Sequence, residues 1–178
     1  MPCGGWIRPS GSARGRWSRS RGDYDEAARQ YQRALDISER LGDQAHTASS
    51  YGQLGVLAQD RGDYDEAERQ YRASLDINER LGNQAGLANS YHQLGILEAD
   101  RGSADAAIAW HVKALRIRLQ LGVPQAAIDL RRLATHRAEL GDSHFSAQLA
   151  HAAGDARLEE AIISRLERLN TADNDNEA

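Results

Sequence analysis

The sequence predicts an all-α fold, an array of helix pairs closed by a C-terminal helix, and three observations predict it. RGDYDEA stands at residues 21 to 27 and again, unchanged, at 61 to 67, with a worn copy, RGSADAA, at 101 to 107. Most positions of residues 21 to 60 recur 40 residues on, and a fixed period of that length marks a solenoid. Between the copies the apolar residues fall at helical spacing. The composition agrees: 40% hydrophobic residues with only 6% aromatic and 3 prolines, the rest rich in Ala, Leu, Glu, Arg and Gln.

The repeated stretch is predicted to be the junction between two helices. Gly22, Gly62 and Gly102 stand where a preceding helix ends, because glycine takes the left-handed cap conformation without steric cost. Asp23 and Asp63 follow as N-cap acceptors, and Glu26 and Glu66 complete a capping-box pattern at the positive end of the helix dipole. Ser103 keeps the cap in the third copy, while Ala106 has lost the box.

Residues 1 to 20 lack helical periodicity and are rich in Gly, Ser and Arg, so a disordered basic leader is expected there. Trp6 and Trp17 among its arginines would suit nucleic acid or anionic lipid. A leader, or a misassigned start, is the reading carried forward, so neither nucleic acid nor membrane is an expected partner. From Tyr24 to Leu41 the residues Ala27, Tyr31, Ala34 and Leu35 mark a helix closed by Gly42. Asp43 then caps a second helix to about Asp60, with Ala48, Tyr51, Leu54, Gly55 and Ala58 on one face. Gly55 and its counterpart Gly95 lie mid-helix, which costs ~1 kcal/mol against alanine, and close approach of a neighbouring backbone is the expected reason.

The next pair repeats the scheme with Tyr64, Ala67, Tyr71, Leu75, Ile77 and Leu81, then Tyr91, Leu94 and Gly95. Asp36 with Arg40, Glu68 with Arg72 and Asp76 with Arg80 are i,i+4 pairs of a solvated face. The third pair drifts. Ala104 replaces Tyr64, His111 replaces Tyr71, and Val123 takes the cap position of Asn83, with Pro124 able to start the helix. Ile108 and Trp110 bring apolar character to positions that are polar one repeat earlier, and seating the terminal helices is the preferred reason. After Gly141 and Asp142 a shorter helix runs to about Ala153. Gly154 and Asp155 introduce a last one, striped by Leu158, Ala161, Ile162, Leu166 and Leu169. It serves as the terminal cap an array needs. The expected division is a repeat domain over 21–169, with repeats at 21–60, 61–100 and 101–140 and a degenerate one at 141–169, followed by a disordered acidic tail at 170–178.

At 178 residues and a net charge of −4, the chain has no overall pull toward polyanions. No run approaches the ~20 apolar residues of a membrane span, and Cys3 is the sole cysteine, so a cytoplasmic setting is expected. Histidines at 46, 92, 111, 136, 144 and 151 form no i,i+4 ligand pair, and there is no phosphate loop, GxSxG or Cys/His couple. Neither metal, cofactor nor catalytic residue is therefore expected, and the acids of RGDYDEA are read as caps.

YGQLGVLAQDRGDYDEAERQYRASL at 51–75 and YHQLGILEADRGSADAAIAWHVKAL at 91–115 resemble the tetratricopeptide repeat (TPR). The form is the longer one, of about 40 residues, found in kinesin light chain and in the sensor arrays of bacterial NTPase regulators. Tyr51, Leu54, Gly55, Ala67, Tyr71 and Ser74 match its pattern, as do Tyr91, Leu94, Gly95, Ala107 and Ala114. The resemblance implies a right-handed superhelical solenoid, a non-enzymatic protein-interaction module, and a peptide or protein bound in the groove of the first helices. Carried over residue by residue, that groove is Ser49, Gly52, Val56 and Gln59, then Asn89, His92, Ile96 and Ala99, and further Arg131 and Thr135. A peptide backbone is expected to bond Asn89 and His92, with its side chains on Val56 and Ile96. Two alternatives stay open. One is self-association as a homodimer through a bare face including Tyr24, Tyr31 and Leu35; the other is a fragment of a larger NTPase-type regulator.

Overall fold

A computed structural model describes residues 21–175, with side chains from Tyr24 to Leu169; the expected leader and the last residues of the acidic tail lie outside these. Eight helices and no strand are found among the described residues: α1 (Arg21–Leu41), α2 (Gln44–Asp60), α3 (Tyr64–Leu81), α4 (Gln84–Asp100), α5 (Ala104–Leu121), α6 (Ala126–Leu140), α7 (Asp142–Ala153) and α8 (Ala156–Asp175). Each of α1 to α7 packs on its successor, α2 also touches α4, and α5 receives both α6 and α7. Helix α8 closes the stack against α6 and α7. This is the predicted all-α solenoid of consecutive helix pairs.

The junctions follow the local chemistry. The Asp63 carboxylate accepts the Glu66 N–H and Asn83 accepts that of Gly86, so each cap satisfies a donor the first helical turn leaves over. Gly82 ends α3 at φ +65°, a conformation a side chain would strain. Three expectations at these junctions are corrected. Glu66 does not complete a capping box, because its carboxylate is taken by Arg69 and Gln70. Ser103 makes no side-chain cap bond. In the first copy the turn is absent, and α1 runs from Arg21 through Gly22 and Asp23. The later turns are held by carbonyls of a preceding helix, as where Asp63 N–H bonds Ala58 O.

The repeated arginine has a role that local reading missed. Arg101 reaches back to Asp65 (2.9 Å), Glu68 (2.7 Å) and the Tyr64 carbonyl (3.2 Å), and Arg61 reaches Asp25 at 2.6 Å. The first residue of one RGDYDEA copy thus clamps the fifth residue of the copy before it. Arg72 pairs with Glu68 and Arg80 with Asp76 as expected, but Arg40 bonds the backbone carbonyl of Asp36 instead of its carboxylate.

Two cores result. A small one around Ala58, Ala67, Tyr71, Leu94 and Leu97 lies between α2, α3 and α4. The larger one is C-terminal, where Ile108, Val112, Leu115, Leu133, Phe145, Leu149, Ile162 and Leu166 are fully buried. Ile108 thereby does seat the terminal helices, whereas Trp110 stacks on Tyr91 at 5.6 Å with Lys113 over its ring. Helix α6 begins at Ala126, after a turn at Val123, and not at Pro124. Helix α8 continues past the expected end at Leu169 to Asp175, so most of the predicted tail is helical. At the other end Leu35 is buried within the chain, which removes it from the face expected to be bare; Tyr24 and Tyr31 are half-buried.

Candidate binding groove

The mid-helix glycines position this region. A Cβ on Gly55 would lie 2.5 Å from the Tyr71 ring, and one on Gly95 would lie 2.7 Å from the His111 ring. The close neighbour is therefore an aromatic side chain and not a backbone, which corrects the expectation. Each second helix of the α3 and α5 type lays a flat ring into the notch that the glycine leaves on the helix before it. The helices on either side of α3 come close enough to form a groove.

That groove is a cavity of about 390 Å³ between α2 and α4, floored by Ser74 and Asn78 of α3. Of the predicted residues, Ser49, Gly52, Asn89 and His92 line it, together with Gln53 and Gln93. Val56, Ile96 and Ala99 are half-buried farther along the same helices, and Val56 packs on the small core. Arg131 and Thr135 are exposed on α6, where the Thr135 hydroxyl donates to the Arg131 carbonyl. Gln59 is buried and committed: its Nε2 donates to Asp100 (2.8 Å) and its Oε1 accepts from the Tyr71 hydroxyl (2.8 Å). Burial, with Asp60 and Asp100 nearby, pushes the Tyr71 phenol well up, so it stays a donor.

Asn89 and His92 are likewise held by the chain itself. His92 Nδ1 lies 2.7 Å from Asp129 Oδ1, and Arg118 bridges the Asp129 Oδ2 (2.7 Å) to the Asn89 side-chain oxygen (2.9 Å). Asp129 and His111 are fully buried, and His111 Nδ1 stands 3.6 Å from the same Oδ1. Neither ring nitrogen of His111 nor of His136 has a hydrogen-bond partner, although His136 lies 3.4 Å from Glu139. The rings of His92, His111 and His136 follow one another at 5.4 and 5.7 Å. Burial pulls the Asp129 carboxyl up, but His111, His92 and Arg118 outweigh it and hold it below the usual range. For His111 burial dominates and lowers the imidazole despite Asp129; for His136 it does so despite Glu139.

Asp129, Arg118, His111 and His136 were not among the predicted site residues. A signal for one was present, since carrying the period of 40 onward from Ser49 and Asn89 lands on Asp129.

The tetratricopeptide repeat profile matches residues 12–80 and again 46–120, together more than half of the chain. The chain belongs to the tetratricopeptide repeat family. TPR proteins are generally protein-interaction modules built on a typically non-enzymatic scaffold. Among solved structures this TPR chain is similar to BtubC (BKLC) from P. vanneervenii, with a TM-score of 0.61 and 27% sequence identity. The match covers 86% of this chain and 59% of that one, so the TPR array spans little more than half of its neighbour's length. No curated protein matches. None of the described helices is long and apolar enough to cross a membrane.

Proposed function

We propose that this TPR array binds an extended, largely uncharged segment of a partner protein in the cavity between α2 and α4. The observation that carries the reading is the lining. Ser49, Gln53, Asn89 and Gln93 offer hydroxyl and amide groups, and apart from His92 no titratable side chain other than the buried Tyr71 lines the cavity. Side-chain amides suit the alternating donors and acceptors of a peptide backbone, and the absence of Lys or Arg from the lining gives no advantage to an acidic motif. The half-buried Val56 and Ile96 lie farther along the two helices, where apolar side chains of the same segment would pack.

The test uses residues that the chain's own contacts do not need. Peptides tiled from a candidate partner are titrated against the protein by fluorescence anisotropy, and Ser49→Arg and Gln53→Ala are compared with wild type. The expected result is that both substitutions weaken the best peptide while the melting temperature is kept, by ~1 kcal/mol for the lost Gln53 hydrogen bond. Binding that is indifferent to both would place recognition elsewhere, for example at the exposed side of Tyr91 and Trp110.

A further inference from the structure

At the edge of the groove, the junction of α4, α5 and α6 brings together two imidazoles and a carboxylate, of which only His92 and Asp129 are hydrogen-bonded to each other. The Nδ1 of His92, the Nδ1 of His111 and the Oδ1 of Asp129 converge, at 2.7 and 3.6 Å, and these three side chains place ligand atoms within 4.8 Å of one another. We propose that His92, His111 and Asp129 form a binding site for a divalent transition-metal ion, zinc being the one the donor set fits best.

Four features support it. Two imidazoles and one carboxylate are a three-ligand zinc set that leaves a fourth position for water. At bond lengths of about 2.0–2.1 Å, tetrahedral ligands stand about 3.3 Å apart, between the two separations seen here. His111 is fully buried with neither ring nitrogen in a hydrogen bond, an arrangement that costs stability unless something fills it. Finally, Asp129 is held through its other oxygen by Arg118, and Arg118 by Asn89. Such outer bonds orient a ligating carboxylate while leaving its inner oxygen for the ion. On binding, the His92 proton that bonds Asp129 Oδ1 moves to Nε2 or to solvent, and the ion takes the place of that proton. Sequence spacing conceals the site, because the ligands come from three helices and no two are separated by one helical turn.

The experiment uses the full chain after treatment with a chelator. Co²⁺ is titrated and followed by its visible absorption, and Zn²⁺ by the melting temperature. Compared with wild type are His92→Gln, Asp129→Asn, and the double variant His111→Tyr with Ala99→Gln, which installs the tyrosine and glutamine of the preceding repeat. The expected result is a Co²⁺ band saturating at one ion per chain and a melting temperature raised by Zn²⁺. Each variant should weaken Co²⁺ by at least about 100-fold, more than loss of an outer partner causes. Absence of both signals in wild type overturns the proposal. So does a signal kept in all three variants, since the ion would then sit at exposed pairs such as His46 with Asp43 or His144 with Asp105. Should the double variant fail to fold, the other two decide.

Discussion

The junction of α2 with α3 and the junction of α4 with α5 are the same structure filled with different chemistry. In both, a glycine notch receives a ring from the next helix: Tyr71 over Gly55 in one, His111 over Gly95 in the other. The tyrosine hydroxyl has an acceptor, Gln59, whose amide reaches the Asp100 carboxylate, and the groups flooring the groove are neutral, with Ser74 near Ser90 and Asn78 bonded to Asn83. One repeat later Ala99 stands in place of Gln59 and Arg118 in place of Asn78, and the ring nitrogens of His111 have no hydrogen-bond partner. The charge of Arg118 is met by Asp129, where the earlier pair has Asn89. The same glycine notch therefore tolerates either a network whose polar groups are paired or one with spare donor atoms. A repeat that must only stack satisfies its polar groups internally, and the one that leaves them open is where added function is to be sought.

The difference can be broken most strongly at Asp129. Asp129→Ala leaves Arg118 charged and buried without its partner, and a loss of about 3–5 kcal/mol is expected in urea unfolding. Ser49→Ala, two repeats earlier at the same register, should be near silent. Gly55→Ala and Gly95→Ala come next. Each forces a Cβ into a ring, costing about 1–3 kcal/mol by overpacking, against which alanine returns ~1 kcal/mol of helix propensity. Gly55→Ala is expected to be worse, because Tyr71 is anchored by its hydroxyl and cannot swing aside, and equal losses would show that the anchor does not matter.

Transplanting the tyrosine and its glutamine sharpens the comparison. His111→Tyr alone buries a hydroxyl without its acceptor, and adding Ala99→Gln should recover about 0.5–1.5 kcal/mol, the worth of one hydrogen bond. Without that recovery the two junctions are not interchangeable. Between pH 8 and 5, acid is expected to act mainly on the third pair. His111 and His136 are held below the ordinary imidazole value of 6.5, so below that pH the unfolded chain takes up protons that the folded chain refuses. Their stability is complete above about pH 6.5 and declines as pH falls through it, and the loss of the Asp129 carboxylate below 3.8 adds to it. The groups facing these rings are Asp129, His92, Glu139 and Arg132, and the double transplant should flatten the decline in melts run from pH 8 to 5. The smallest effect is the control: Asp76→Ala, on the exposed pair with Arg80, should change stability by no more than ~0.5 kcal/mol.

Some of the candidate groove was legible beforehand. Ser49, Gly52, Asn89 and His92 were reached by carrying the groove of the resembling repeat family onto this sequence, and they line the cavity because a repeat carries the facing of its helices from one copy to the next. Their freedom was not legible. Gln59, Asn89 and His92 look like available groove side chains in sequence, and all three are bonded to residues of other helices. For that reason Asn89→Ala and His92→Ala would test stability as well as binding, and Ser49 and Gln53 are the better probes.

What the sequence determined by itself had a short range: the period, the helices, the caps at Asp63 and Asn83, the glycine that ends α3, and membership of a helical repeat array. These depend on residues within one or two turns of each other, so the local pattern suffices. What only the tertiary structure decided was which ring fills each glycine notch, why the arginine of the repeat is kept, and the convergence of His92, His111 and Asp129. Arg101 meets Asp65 across 36 residues and His92 meets Asp129 across 37, almost one repeat apart and on different elements. Partners at that separation are chosen by how one helix pair stacks on the next, and neither periodicity nor composition records that angle.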